Sequence, residues 1–242
     1  KDMEKKLIKY LLKEPFINTK LNLVNNSIIA QYRDRSLKYL HPSSVKRRLA
    51  VISHLFSIAR KEWGFKIENP VLDISKPKLP EPRDRRFTKL ELNSLIYGNK
   101  TSSKLKSIIQ IALETGMRQG EILRIKRENI NDKSLFIPVA KTKPRKIPLT
   151  TKAIEILNNV VLPFELSGMA VSKQFNKLCK FYNIKDARFH DLRRQALTNF
   201  MKDKKLTVAE TMYISGHSDP RMLLGVYNNL KCEDISDKIN GN

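Results

Sequence analysis

A helix–turn–helix pattern runs through residues 107–125, which read SIIQIALETGMRQGEILRI. The first helix is marked by apolar residues at helical spacing: Ile108, Ile109, Ile111 and Ala112. The pattern breaks at Gly116 and restarts with a second apolar set: Ile122, Leu123 and Ile125. Arg118 lies at this glycine turn, where a long cation is an awkward choice unless it has a partner. A surface position and a salt bridge to Glu121 are the two simpler explanations.

The sequence on either side of this pattern predicts a mainly α-helical fold with a small antiparallel β-sheet. Thr88 and Glu91 have the spacing of a capping box that opens a helix. Residues 134–150 read SLFIPVAKTKPRKIPLT, with short β-type runs on each side of a basic turn, which predicts a hairpin. Lys141 lies at the tip of this hairpin, where most lysines are merely solvated. From about residue 150 onward the pattern is mainly helical again.

Residues 42–65 predict a long amphipathic helix near the N-terminus, with Ser43 or Ser44 as its N-cap. An apolar stripe follows at three- and four-residue spacings: Val45, Leu49, Ile52, Leu55, Phe56 and Ala59. Basic residues fall mostly off that stripe: Lys46, Arg47, Arg48, Arg60 and Lys61. We therefore expect a small helical domain with a basic outer surface. Trp63 and Phe65 are expected to anchor its core rather than to stack on bases.

Prolines mark a boundary between two domains. Residues 69–86 read NPVLDISKPKLPEPRDRR, and four prolines in this stretch favour an extended, stiff connector. We predict a helical domain over residues 1–78, a proline-rich linker over 79–86, and an α+β domain with a C-terminal tail over 87–242. Arginines at the end of the linker could follow a phosphate backbone or lie on a solvated face: Arg83, Arg85 and Arg86.

The chain is strongly basic, with 47 Lys and Arg against 24 Asp and Glu and a net charge of +23. Residues 1–86 carry a net +11 and the remaining 156 residues +12, so the excess is not in a single tail. Basic charge on both predicted domains fits a nucleic acid that both of them contact. A basic protein without such a partner is the simpler alternative. An anionic membrane surface fits less well, because no segment combines a lysine face with a strong apolar face.

The composition is globular, since 40% of the residues are hydrophobic and 242 residues suffice for one large or two ordinary domains. No run of about 18 apolar residues and no signal pattern appear, so we expect a soluble, cytoplasmic protein. The first residue is lysine, as in a fragment of a longer protein. Cys179 and Cys232 match neither a metal spacing nor a disulfide framework, and we expect both to be reduced.

Two further stretches break the amphipathic pattern. In RFHDLRRQAL, His190 and Arg193 are three residues apart and share one helix face. A lone histidine is more often structural, but the pair suits an anionic ligand. In GHSDPRMLLGVYNNL, Tyr227 follows His217 by ten residues. A tyrosine in a C-terminal helix is usually a core or interface residue, so this stretch alone does not indicate a catalytic hydroxyl.

Together these residue types suit chemistry on a phosphodiester. Two arginines can each bind the non-bridging oxygens, where charge develops in a pentacoordinate transition state. A histidine and a lysine can move protons to and from the attacking and leaving oxygens, and a tyrosine can act as a covalent nucleophile. No metal-binding spacing and no glycine-rich phosphate loop is present in the sequence. We therefore predict a reaction that needs no metal and no other cofactor.

The ordered series TGMRQGE, KTKPRKIPL, HDLRR, GHSDPR and a following tyrosine resembles the tyrosine recombinase, or phage integrase, family over nearly the whole chain. The resemblance implies a helical core-type DNA-binding domain followed by an α+β catalytic domain. It also implies site-specific cutting and rejoining of double-stranded DNA, as in integration, excision or inversion. By this resemblance Arg118 is the first catalytic arginine, and Lys141 is the hairpin lysine that protonates the leaving 5′-oxygen.

The remaining motif positions carry the other implied roles. His190 and Arg193 act as acid–base catalyst and second phosphate clamp, and His217 hydrogen-bonds the scissile phosphate. Tyr227 attacks that phosphate and forms a 3′-phosphotyrosyl intermediate. One departure is the spacing, because the family usually places its tyrosine nine residues after this histidine and here the gap is ten. On a helix one extra residue adds about 100° of rotation. We expect either a loop or bulge near Gly225 that absorbs it, or a tyrosine held away from the site until DNA and a neighbouring subunit assemble.

The resemblance further implies partners and an origin in a bacterium, phage or other mobile element. We expect a homo-tetramer on DNA, a monomer or weak oligomer without it, and accessory DNA-bending or directionality proteins in some reactions. Many phage integrases carry an additional N-terminal arm-binding domain for which these residues leave no room, and we expect either that it was removed or that this member never had it. Two alternatives stay open: a type IB topoisomerase-like nicking and closing enzyme, and a DNA-binding protein with a decayed site.

Overall fold

The structure is a computed structural model that describes residues 2–81, 83, 85–138, 143–221 and 223. It divides into two compact units, Lys1–Arg83 and Asp84–Asn242. Within the described ranges, none of the helices is both long enough and apolar enough to cross a membrane.

The first unit is helical. Three helices make it up, joined between the first and second by two short 3-10 turns: α1 (Asp2–Leu11), α2 (Asn26–Leu37) and α3 (Pro42–Lys61). α3 packs against both other helices, and its predicted apolar stripe supplies much of the core: Val45, Leu49, Ile52, Phe56 and Ala59 are all buried. The amphipathic pattern therefore predicted this helix and its buried face correctly.

Several details of α3 differ from the prediction. The N-cap is His41, whose Nδ1 accepts a hydrogen bond from the backbone N–H of Ser43, because Pro42 is well suited to the first helical position. Leu55 is 42% exposed, since it lies at the edge of the stripe. Arg48, expected on the basic outer surface, is buried and lies 5.1 Å from the centre of the Tyr10 ring.

Trp63 and Phe65 were predicted to anchor the core, and this was wrong: they are 57% and 48% exposed. α3 ends at Lys61, and Gly64 then takes a left-handed φ of 72°, so the chain leaves the helix before either aromatic reaches the core. Val71 and Ile74, from the start of the proline-rich stretch, fill the core instead. The described residues from 75 to 81 form no helix or strand.

The second unit combines seven helices of the described ranges with one small sheet. The helices are α4 (Lys89–Tyr97), α5 (Ser103–Thr115), α6 (Gln119–Ile122), α7 (Thr151–Asn158), α8 (Gly168–Phe181), α9 (Phe189–Lys202) and α10 (Val208–Ser215). The strands are β1 (Ile130–Asn131), β2 (Ser134–Ile137) and β3 (Arg145–Pro148). The mainly α fold with a small antiparallel sheet is therefore confirmed.

The capping box and the hairpin are both present. The Thr88 hydroxyl accepts from the N–H of Glu91 at 3.1 Å, and the Glu91 carboxylate accepts from the N–H of Thr88 at 2.8 Å. β2 and β3 pair antiparallel with Leu135 opposite Ile147, and β1 adds a short third strand beside β2. The tip of the hairpin lies outside the described residues.

The glycine turn between α5 and α6 is the part of the fold that positions the candidate site. α5 packs against α4, α7 and α9 at the centre of the unit. Gly116 ends α5 with a φ of 61°, in the left-handed region that favours glycine. The second helix of the predicted pattern, α6, is shorter than expected. It is a single turn that ends at Ile122.

We expect Gly116→Ala to destabilise the protein by about 1–2 kcal/mol, because a left-handed φ strains an L-residue by roughly that amount. The new Cβ would also lie 3.0 Å from Leu197 Cδ2 in the core. Gly120→Ala is the matched control, since a Cβ there meets only Arg124 guanidinium atoms at 3.8–4.0 Å. Urea unfolding measures both free energies, and equal effects of the two substitutions would contradict this account of the turn.

Candidate active site

Glu121 lies at the centre of the candidate site. Its carboxylate accepts from the backbone N–H of Arg118 at 3.0 Å and from Arg118 Nη1 at 3.1 Å. Glu121 is only 4% exposed, whereas the Arg118 side chain keeps 23% of its surface open to solvent. The salt bridge that the sequence left as an alternative for Arg118 is therefore present, and the same guanidinium can still face a ligand.

A second arginine, Arg145 at the start of β3, approaches Glu121 from the sheet. Its Nη1 and Nη2 donate to the two carboxylate oxygens at 3.1 and 2.9 Å, and its Nε donates to the carbonyl oxygen of Ile214 at 3.0 Å. The Arg145 side chain is 8% exposed. We call Arg118, Glu121 and Arg145 the Glu121 bridge. It ties α6, β3 and the end of α10 together.

Arg193 is a buried cation on α9. Its Nη1 donates to the carbonyl oxygen of Gly116 at 2.7 Å, and its Nη2 donates to that of Ser215 at 2.8 Å. These carbonyls belong to the C-terminal ends of α5 and α10, where helix dipoles place partial negative charge. The acceptors are uncharged, so they hold the guanidinium without neutralising it.

His217 follows the left-handed Gly216 that ends α10. Its Nε2 lies 3.3 Å from Arg193 Nη2, and its Nδ1 lies 2.8 Å from the hydroxyl of Ser215. An arginine can only donate, so Nε2 accepts and the proton of the neutral ring sits on Nδ1. The Ser215 hydroxyl oxygen then accepts a hydrogen bond from Nδ1–H, and the hydroxyl donates to the carbonyl oxygen of Met212 at 3.3 Å. The network thus sets one tautomer of His217.

His190 lies at the start of α9, three residues before Arg193. The Asp191 carboxylate accepts from the backbone N–H of Arg188 at 2.8 Å, which fixes the first turn of this helix. His190 is exposed on the surface of the protein. Although the residue is exposed, neighbouring groups still remove part of the water around its ring, and this dehydration, followed by the charges of Arg193 and Arg194, lowers the pKa of His190.

The electrostatics join these groups into one site. Burial, followed by the charge of Arg118, lowers the pKa of Arg193 to about 9, so this group remains a cation at neutral pH. Burial, followed by the charges of Arg193 and Arg118, lowers the pKa of His217 to about 4, so its ring is neutral there. The site places the carboxylate of Glu121 near three guanidinium groups, those of Arg118, Arg145 and Arg193. It therefore has an excess of positive charge, which suits an anion.

The structure brings together four of the six predicted site residues: Arg118, His190, Arg193 and His217. Lys141 and Tyr227 lie outside the described residues, as do Gly225 and Cys232. Their predicted roles stay predictions. Among the residues that are described, no three His, Cys, Asp or Glu side chains form a group that could hold a metal ion.

Sequence reasoning missed the contribution of Arg145 and Ser215. Arg145 and Ile147 share one face of β3, because side chains alternate along a strand. Ile147 is fully buried, so an arginine two residues before it was a signal of a buried partner. For Ser215 the only signal was its place two residues before His217.

The lowered pKa of His217 predicts a specific pH dependence of stability. Between about pH 6.5 and pH 4 the unfolded chain takes up a proton at His217 that the folded chain does not. This contribution to the free energy of unfolding is therefore complete above about pH 6.5 and lost as the pH falls towards 4. Gln does not titrate, so His217→Gln lacks this contribution. The free energy of unfolding of wild type, relative to that of His217→Gln, should therefore decrease as the pH falls from about 6.5 to about 4.

Urea unfolding at several pH values in this window measures the difference. His54→Gln, an exposed histidine of the first unit, controls for the loss of an imidazole from the chain. Parallel pH profiles for wild type and His217→Gln would show that the pKa of His217 is not lowered by folding.

Comparisons with known proteins identify the family of the chain. The model of the phage integrase family matches residues 85–162. A Haemophilus influenzae protein named as an integrase/recombinase is 31% identical over 89% of this chain and 76% of its own length. The shufflon-specific DNA recombinase of Escherichia coli is 34% identical over 87% of this chain, which spans 59% of that relative.

Solved structures share the fold. The Tn1549 transposon integrase in complex with transposon right end DNA has a TM-score of 0.84 and 17% identity, over 99% of this chain and 92% of that one. A lambda integrase tetramer bound to a Holliday junction has a TM-score of 0.80 and 21% identity, over 93% of this chain and 70% of that one. Because the identity to the Haemophilus relative extends over most of both proteins, the chain belongs to the phage integrase family of tyrosine recombinases.

Proposed function

We propose that this protein is a site-specific recombinase that cuts and rejoins double-stranded DNA through a covalent 3′-phosphotyrosyl intermediate on Tyr227. The observation that carries the proposal is the convergence of Arg118, Arg193 and His217 at the glycine turns that end α5 and α10. This arrangement offers an anion two guanidinium groups and an imidazole in a partly buried setting. A phosphodiester that becomes more negative in its transition state fits such a setting.

The two arginines would share the work of binding the scissile phosphate. Arg193 is preorganised, because its contacts to the Gly116 and Ser215 carbonyls leave it little freedom. Arg118 is more exposed and is held on one side by Glu121, so its outer N–H groups can reach a second non-bridging oxygen. Fixed donors of this kind favour the transition state because they need no reorganisation during the reaction.

The proton state of His217 would change when DNA binds. In the free protein its Nε2 accepts from Arg193 and carries no proton. A phosphate in this position would take over the Arg193 donor, and its negative charge would raise the pKa of the imidazole. His217 could then gain a proton at Nε2 and donate it in a hydrogen bond to a phosphate oxygen. His190, which is exposed beside the same cations, is assigned the acid–base role.

The roles of Lys141 and Tyr227 rest on their order in the sequence and on membership of the family. Lys141 would protonate the leaving 5′-oxygen, and Tyr227 would attack the phosphorus atom. A 5′-hydroxyl of the partner duplex would then attack the phosphotyrosine, which conserves the energy of the bond. Such a cycle is balanced without a metal or another cofactor, in keeping with the sequence prediction.

The first unit would serve as the helical core-type DNA-binding domain, with residues 1–78 and 87–242 as the two domains on either side of a linker. Both parts are basic, with net charges of +11 for residues 1–86 and +12 for the rest. A solved relative is a tetramer on a Holliday junction, and we infer the same assembly here. The substrate would place the protein in the cytoplasm of a bacterium that hosts a phage or other mobile element.

We expect Tyr227→Phe to abolish the covalent complex with DNA, because phenylalanine has no hydroxyl to attack the phosphate. A nicked suicide duplex that carries the recombination site traps the complex, which resists SDS and is measured on a denaturing gel. The affinity of the variant for the same duplex should stay within about threefold of wild type, since phosphate contacts elsewhere supply most of the binding.

Tyr213→Phe is the matched control, because Tyr213 is a 63% exposed tyrosine of α10. This variant should trap DNA as wild type does. Persistent adducts in Tyr227→Phe would contradict the assignment of the nucleophile. DNA binding without any adduct in wild type would indicate a binding protein with a decayed site.

Strand transfer separates a recombinase from a nicking and closing enzyme. Two duplexes with different end labels, each carrying the site, should yield recombinant strands and a Holliday junction. Relaxation of supercoiled DNA without transfer between the labelled duplexes would favour the type IB topoisomerase-like alternative instead.

A further inference from the structure

Arg145 was not among the predicted site residues, yet it makes three hydrogen bonds to two separate elements. Nη1 and Nη2 donate to both oxygens of Glu121, and Nε donates to the carbonyl oxygen of Ile214. A planar guanidinium can satisfy this two-pronged geometry, whereas a lysine ammonium cannot. Its side chain is almost fully buried, so it is not placed to contact DNA directly.

The partners of Arg145 lie next to groups that the proposed function uses. Glu121 follows Arg118 by one helical turn, and Ile214 precedes His217 by three residues. Arg145 itself lies four residues after Lys141 in the sequence. A single side chain therefore joins the chain segments that carry one clamp arginine and one imidazole.

The space around the Arg145 guanidinium is closely fitted. A Cβ added to Gly216 would lie 3.1 Å from Cζ, Nε and Nη1 of Arg145, so the guanidinium lies against the backbone at the end of α10. Gly216 also has a φ of 67°, a conformation that favours glycine. A shift of Arg145 would therefore be transmitted to the backbone next to His217.

The sharing of Glu121 also affects the charge of Arg118. Burial alone would raise the pKa of Glu121, but hydrogen bonds from Arg145 and Arg118 outweigh burial and the pKa is lowered. The buried carboxylate is thus ionised and divided between two cations. Without Arg145, its negative charge would fall on Arg118 alone and would compete with a phosphate for that guanidinium.

We propose that Arg145 is a positioning residue of the DNA-cleavage site, which engages Glu121 and the end of α10 so that Arg118 and His217 are held ready for the scissile phosphate. This inference rests on the proposed function. It assigns to Arg145 an effect on the cleavage step that a purely structural salt bridge would not have.

The test compares Arg145→Lys with wild type in single-turnover cleavage of the nicked suicide duplex. The variant keeps the positive charge and loses the two-pronged geometry. We expect the cleavage rate constant to fall by about 100-fold, the loss typical of a misplaced catalytic group, while the Kd for DNA changes by less than about threefold. All rates are measured well below the Tm of each variant.

Arg127→Lys is the matched control. Arg127 also makes two hydrogen bonds to backbone carbonyls, from Nη1 to Leu157 at 2.6 Å and from Nη2 to Val160 at 2.8 Å. Its contacts include none of the proposed catalytic residues. Its replacement should lower the Tm and leave the cleavage rate constant within about threefold of wild type.

A second substrate tests whether Arg145 acts through the phosphate clamp. A methylphosphonate at the scissile position lacks one negative oxygen and so depends less on Arg118. The ratio of wild-type to Arg145→Lys cleavage rates should therefore shrink on this substrate by about tenfold or more. If Arg145→Lys does not fold, Arg145→Gln, whose amide can still donate to Glu121 but carries no positive charge, should show the same substrate dependence.

The outcomes distinguish a failure of the positioning role of Arg145 from a failure of the proposed function. Normal cleavage by Arg145→Lys, beside active wild type, would overturn the positioning role and leave the proposed function intact. An equal loss of cleavage rate on both substrates would show that Arg145 does not act through the charge of Arg118. That result would also overturn the positioning role. A wild-type protein that forms no adduct would refute the proposed function, and this inference with it.

Discussion

The candidate site depends on a buried carboxylate that is shared by two guanidinium groups. A carboxylate removed from water costs several kcal/mol unless opposite charges and hydrogen bonds compensate. Glu121 receives that compensation from Arg118 at the N-cap of its helix and from Arg145 on the sheet. Because one of these arginines also bonds the end of α10, the three elements cannot shift independently. The site is therefore set by electrostatic pairing between elements that are far apart in sequence.

Most of the fold follows from local patterns that the sequence displays. The apolar spacing in α3 and α5, the glycine that ends α5 and the Thr88 capping box each involve residues within one or two helical turns. Two of the errors, the N-cap of α3 and the place of Trp63, arise where an element begins or ends. Trp63 continues the apolar pattern in composition, but α3 stops two residues earlier, and Gly64 was a local signal of that end which the prediction did not use.

The candidate site was predictable where a residue type was unusual for its place, as with Arg118 at a glycine turn. The arrangement of the partners was not, because it depends on tertiary contacts. The separation in sequence is 77 residues between Arg193 and Gly116, and 24 between Arg145 and Glu121. Alternation along β3 could have marked Arg145 as inward-facing, but it could not have identified Glu121 as its partner.

The charge of the buried Arg193 lowers the stability of the folded protein, although the proposed activity needs this charge. Its charge loses hydration, is repelled by Arg118 and is compensated by carbonyl oxygens rather than by a carboxylate of its own in the contacts described above. An uncharged side chain of similar length would avoid these costs. Selection for thermal stability alone would therefore tend to replace this arginine and lose the phosphate clamp. A laboratory evolution of this fold towards heat resistance needs a screen for DNA cleavage at every round.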